Sequence, residues 1–320
     1  MLTPRENFIR YLKNEEYEWT PSNVDQLSFR PQLIKDNVAR AFVTEQERYT
    51  GAFGGKDMFG VDWVFEPSVG GSMEIEPLFE DIEDWEQYIP FPDIDAMDWE
   101  GTAAANAEYL KTDKLVSSTI FTGLFERLIS FVGFENAAMA LIDEDQQEEV
   151  HKIFNILTEI YIQMIRRMHR HFNVELIEFH DDWGTQRDTM FSAATLQEMI
   201  LPYLKRIVDA AHEEGVFIEL HSCGKIDTFI PYVIECGVDT WRGQANVVDK
   251  VGLVQKYGDR FKFCVEIRPA GPMPKEELLK LADEVLAQYR GKGVWLGLAR
   301  MLAPEVRDAL CAHVKSYGII

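Results

Sequence analysis

The sequence predicts a (β/α)8 barrel with an elaborated N-terminal region, and three observations lead there. Strand-like and helix-like segments alternate from about residue 104 to the end. Several of the strands carry an apolar set on one face and a polar set on the other. No Gly-x-Gly-x-x-Gly turn follows any strand, so the doubly wound dinucleotide fold, the main alternative, lacks its fingerprint. A length of 320 residues with 46% hydrophobic content suits one large domain spanning residues 1–320.

The chain opens with a helix. Thr3 caps it, Pro4 takes the first helical position, and Glu6 stands three residues after the cap. The start has no apolar core or small-residue cleavage site, so a cytoplasmic location is expected. Up to about residue 103 the pattern is irregular. Gly51–Asp57 reads as a turn-rich loop. Met58–Phe65 and Ser72–Glu76 read as short strands of a hairpin about Gly70-Gly71. From Phe79 to Trp99 an acidic helix and loop are expected to pack on the body through Trp85 and Trp99.

The regular part begins with the strand Leu115–Ile120 and helical segments at 124–142 and 145–171. Further strands are predicted at Val174–His180, Val216–His221, Thr240–Gln244, Phe261–Ile267 and Val294–Leu298. Helices between and after them fall near 195–213, 226–235, 247–257, 274–290 and 303–317. Strands that alternate with helices form βαβ units and a parallel sheet.

Side chains alternate faces along a strand. One face of the 216–223 strand carries Phe217, Glu219, His221 and Cys223. Glu178, His180 and Asp182 share a face on the preceding strand, and Cys264, Glu266 and Arg268 on a later one. The opposite faces are apolar and suit the outer helices. Polar sets turned inward at the C-terminal ends of barrel strands mark an active site. The bland alternative is a network of buried ion pairs, such as Arg268 with Glu266.

His221-Ser-Cys223-Gly224 is the sharpest local feature. An imidazole and a thiolate two residues apart on one strand end suit zinc. The expected third ligand is Cys264, with Glu266 as the alternative and Asp182 and Glu178 as further candidates. Cys236 and Cys311 read as core. The loop His180-Asp-Asp-Trp-Gly-Thr-Gln-Arg187 supplies candidate acids, Asp181 and Asp182. Trp183, Gln186, Glu178 and Arg268 are expected to face substrate.

A net charge of −22 excludes phosphate backbones and anionic lipid as natural partners. No stretch approaches the roughly 18–20 apolar residues of a membrane span.

The segment Glu178–Asp249 resembles the uroporphyrinogen decarboxylase superfamily through HDDWGTQ (180–186), LPYLKRIVDAAHEEGV (201–216), HSCGKID (221–227) and IPYVIECGVDTW (230–241). FGVDWV (59–64), the segment 81–99 and LFERLISFVGFENA (124–137) fit more weakly. The resemblance implies a single barrel with its site at the C-terminal mouth. Decarboxylases of this superfamily carry an Arg-rich N-terminal motif for the propionates of the porphyrinogen. The corresponding EYEWTPSNVDQLSFRP (16–31) lacks the paired arginines. The other branch comprises zinc-dependent, corrinoid-linked methyltransferases, whose His-x-Cys pair His221 and Cys223 match. That branch has a later cysteine in a C-terminal segment, and GLARMLAPEV (297–306) has none. The chain looks more like the ether-cleaving methyltransferases of O-demethylase systems. The resemblance thus implies methyl transfer from a small methylated substrate, such as a methoxylated aromatic, to cobalamin on a corrinoid protein partner. A homodimer is also implied. The alternatives are decarboxylation, or a barrel that binds small molecules without catalysis.

Overall fold

The structure is a computed structural model, and it describes residues 1–38, 54–66, 71–244, 246–269, 271, 273–298 and 302–319. Seven parallel strands form a curled sheet: β1 (Gln26–Ser28), β5 (Leu115–Ile120), β6 (Leu176–His180), β7 (Phe217–Ser222), β8 (Thr240–Gly243), β9 (Lys262–Ile267) and β10 (Val294–Leu298), in that spatial order. The sheet curls back on itself at a parallel bridge between Ser22 and Leu296, where Leu296 donates its N–H to the Pro21 carbonyl. The segment 21–28 therefore touches β10 at one end and β5 at the other. The barrel expectation holds, with seven strands rather than eight among the described residues. Its first strand lies at residue 26, inside the stretch that the sequence reads as elaboration.

The rest of the elaboration includes a separate antiparallel sheet, β2 (Gly54–Lys56), β3 (Asp62–Glu66) and β4 (Gly71–Glu74). Gly54–Lys56 was expected to be loop and is the edge strand of this sheet. The hairpin turn at Gly70 lies outside the described residues. Trp85 and Trp99 are buried in one apolar core with the barrel helices, as their size requires. Deeper still, Arg127 is fully buried. Its guanidinium meets Asp57 at 2.5 Å and also Asp36, and Asp57 in turn accepts the Trp63 indole N–H. This pairing fastens the elaboration to the barrel.

The N-terminal helix, Pro4–Leu12, has the capping box that its sequence announces, formed by Thr3 and Glu6. It closes the lower end of the barrel. Phe8, Tyr11 and Leu12 pack there on Leu115 and Leu176, which begin β5 and β6, and on Trp295 and Cys264. The predicted helix 124–142 is broken at Gly133, whose φ of +80° ends Leu124–Val132 and starts Phe134–Ala140. The helix near 195–213 begins at Ala193 and passes through a π-turn at Leu196–Ile200, just before Pro202, which has no N–H to give the helix.

Candidate metal centre

The register of β6 against β7 builds the site. Glu178 pairs with Glu219 and His180 with His221, so two inward-facing polar ladders run side by side. The lower rung is charged and buried. Arg242 donates to Glu219 at 2.9 Å and stacks over Trp295. Burial alone would lift the Glu178 carboxyl, but Arg242, His221, Arg30 and His180 together hold it down at about 2. Glu178 therefore stays ionised, with Arg30 at 4.0 Å.

The upper rung is the donor cluster. The His180 and His221 rings stack with centroids 4.2 Å apart. One ligand atom each from His180, Asp182 and His221 falls within 4.8 Å of the others. The Cys223 Sγ lies 3.3 Å from His221 Nε2. Burial and the neighbouring His180 lower the His221 pKa to about 3 against the pull of Asp182, so its imidazole is neutral and free to ligate at neutral pH. Its Nδ1 is buried without a hydrogen-bond partner. Two imidazoles and a carboxylate in one place, with a thiol beside one of the imidazoles, fit zinc well, and hard cations such as magnesium poorly.

Backbone geometry holds the cluster in place. Asp182 accepts the Cys223 N–H at 2.6 Å, which ties the loop after β6 to the turn after β7. Gly224 makes that turn at φ +79°. A Cβ there would lie 2.1 Å from the Gly184 carbonyl carbon and oxygen, so the two loops touch backbone to backbone.

Parity placed Glu178, His180, Glu219, His221 and Cys264 on the inner face, and the packing agrees. Height along the barrel is a separate matter. Cys264, the expected third ligand, lies in the lower cluster with Phe8, Tyr11 and Trp295, and burial pushes its thiol up to about 12. It does not join His221 and Cys223, and His180 takes its place in the cluster. Glu266 is a partly buried residue that accepts from Arg268 at 3.2 Å, and Arg268 itself is mostly exposed at the rim. Asp181 points away from the site. It is fully buried and accepts the N–H groups of Phe125 and Glu126 at the start of the 124–132 helix. Burial and Glu126 raise its pKa to about 7. Trp183 was expected to wall the pocket but is fully buried, edge-on to Phe229. Gln186 is exposed and donates to Gln244, which also accepts the Gly224 N–H. Sequence reasoning turned His180 inward without giving it a role, and it missed Glu126, whose carboxylate meets His180 Nδ1 at 2.7 Å.

A parallel barrel with a mixed nitrogen, oxygen and sulfur donor cluster at its C-terminal mouth is thus the class that fold and site define. Residues 55–264, well over half of the chain, match the family model described as uroporphyrinogen decarboxylase (URO-D), and the chain belongs to that family. Among solved structures, a methyltransferase from Methanosarcina mazei aligns over 99% of both chains with a TM-score of 0.68 at 15% identity, which establishes a shared fold. A D-psicose 3-epimerase from Clostridium cellulolyticum aligns with a TM-score of 0.38 at 10% identity, over 71% of this chain and 84% of its own. No curated protein sequence matches the chain significantly. No helix among the described residues is long and apolar enough to cross a membrane.

Proposed function

We propose that the protein is a zinc-dependent methyltransferase that moves a methyl group from a small methylated substrate, a methyl ether, to the cobalamin of a separate corrinoid protein. The observation that carries this reading is the convergence of His180, Asp182 and His221 at the mouth of the barrel, with the Cys223 Sγ beside His221. Three donors drawn from these four residues would hold the metal and leave one position open. Zinc in such a site supplies Lewis acidity toward the ether oxygen.

The chain's own residues do the rest. His221, kept neutral by burial, offers a lone pair with no proton to displace. Asp182 is the carboxylate of the set, and in this reading it acts as a ligand rather than as the proton donor. Its contact with the Cys223 N–H keeps sulfur and imidazole on one turn. Glu178 and Arg242, just below the cluster, present fixed charges to the polar part of a small substrate. The fold shared with the Methanosarcina mazei methyltransferase supports methyl transfer as the activity.

The family match also gives support to decarboxylation. Against it stands the charge of the inner wall. Among the described residues, Arg30 and Arg242 of the inner wall are already paired with Glu178 and Glu219, so the carboxylates of a tetrapyrrole would compete with built-in ones there. A single assay separates the two. Zinc-loaded protein is offered a panel of methyl ethers with free cob(I)alamin, and methylcobalamin is followed by its absorbance. Methylcobalamin formation from at least one ether is the expected result. Turnover of uroporphyrinogen by metal-free protein, with no methyl transfer, would establish the decarboxylase.

A further inference from the structure

Glu126 stands at the third position of the Leu124–Val132 helix, on a different element from any of the four donor residues. Its Oε2 lies 2.7 Å from His180 Nδ1, and both side chains are largely shielded from solvent. A carboxylate can only accept, so the proton of this contact belongs to His180 Nδ1. That leaves the lone pair of His180 on Nε2.

The contact is anchored from both sides. The Glu126 N–H donates to Asp181 Oδ1 at 2.9 Å, and the Phe125 N–H to Asp181 Oδ2 at 3.2 Å. The Gly123 N–H donates to the His180 carbonyl at 2.7 Å. A Cβ at Gly123 would come within 2.5 Å of the Asp181 Cβ, so only glycine lets the helix start this close to β6. The ring of His180 is also stacked on His221, which restricts its rotation. The last residue of β6, His180, and the next residue, Asp181, thus fix the start of the helix that delivers the carboxylate.

We propose that Glu126 is a positioning residue of the metal centre, fixing the tautomer and the direction of His180 so that Nε2 faces the ion. The inference rests on the zinc reading above. Carboxylates that accept the second N–H of a ligating imidazole raise its basicity, and their loss typically weakens metal binding about 10–100-fold. The hydrogen bonds from this helix start to Asp181 come from backbone N–H groups, and the Glu126 carboxylate itself opposes the charge of Asp181. A change of the Glu126 side chain therefore leaves the helix cap in place.

The test compares the wild-type chain with Glu126→Ala and Glu126→Gln. The readouts are zinc affinity by chelator competition, the His180 tautomer by long-range nitrogen–proton NMR of metal-free protein, and thermal melting as a check on folding. Wild type is expected to carry the His180 proton on Nδ1. Glu126→Ala is expected to lose that preference and bind zinc about 10–100-fold more weakly. Glu126→Gln should fall between, because its amide keeps an acceptor oxygen but no charge. Equal zinc affinity in all three proteins, or an Nε2-protonated His180 in the wild type, would overturn the inference. Should Glu126→Ala fail to fold, Glu126→Gln decides by the same two readouts. A wild type that binds no zinc would remove the metal reading, while the tautomer would still report whether Glu126 directs His180.

Discussion

His180 and His221 are direct register partners on adjacent parallel strands, and their rings stack 4.2 Å apart with an 18° angle between planes. Stacking of this kind holds the two imidazoles at the same height on the barrel wall. It turns a two-residue sequence signal, His221 and Cys223, into a cluster that includes the next strand. The account of the site depends on this pairing.

Gly224 sustains the turn that carries Cys223. Its positive φ and its contact with Gly184 leave no room for a side chain. Gly224→Ala is expected to destabilise the fold by about 1–3 kcal/mol, from backbone strain and the displaced loop. It should also lower zinc retention, because the Asp182–Cys223 contact moves with the turn. Urea denaturation and metal analysis of the variant check both effects.

Arg127 holds two buried carboxylates, Asp36 and Asp57, between the elaboration and the barrel. Burial raises the Asp36 pKa, while the nearby guanidinium of Arg127 opposes that rise. Arg127→Ala leaves both acids without their cation and is expected to cost about 3–5 kcal/mol. The denaturant midpoint is expected to fall accordingly. Its recovery at low pH, where the two acids can take protons, would confirm the cause.

His212 gives the fold a pH dependence of its own. Its Nε2 lies 2.8 Å from Asp239, and that hydrogen bond raises its pKa above 6.5 against the opposing effect of burial. A raised folded-state pKa means that the contribution is full below the unfolded value and is lost as pH climbs through the folded one. His212→Gln should therefore differ from wild type at about pH 5.5 and match it by about pH 9. The pair is partly exposed, so the difference should not exceed about 1 kcal/mol. Stability curves at the two pH values measure it.

Much of the barrel is legible in the sequence because period-two alternation is strong on β6, β7 and β9. The inner faces of these strands follow from parity alone. β1 is not legible, since Gln26-Leu27-Ser28 is too short and too polar to signal a strand. Its place is set by pairing with Ser117 and its neighbours. Cys264 shows a second limit. Parity gives the face of a residue but not its height. Height depends on where each strand starts against the next, and Cys264 pairs with Trp295 deep in the barrel. His180 was placed inward, but its company with His221 comes from register, which a single chain does not reveal. Trp183 misled because a loop aromatic looks exposed until the loop folds back. Here its backbone N–H donates to Ser222 Oγ and its ring is covered. Glu126 had no signal at all, because it lies 54 positions before His180 in the chain and only the fold brings its carboxylate to the imidazole.

The central claim is that His180 and His221, with Asp182 and Cys223 beside them, hold zinc. Its most direct test is the zinc content of protein purified without added metal, for wild type, His180→Ala, His221→Ala and Cys264→Ala. Wild type and Cys264→Ala are expected to carry about one zinc per chain, as one site provides, and both histidine variants to lose most of it. Full zinc in the two histidine variants, or its loss in Cys264→Ala alone, would contradict the account.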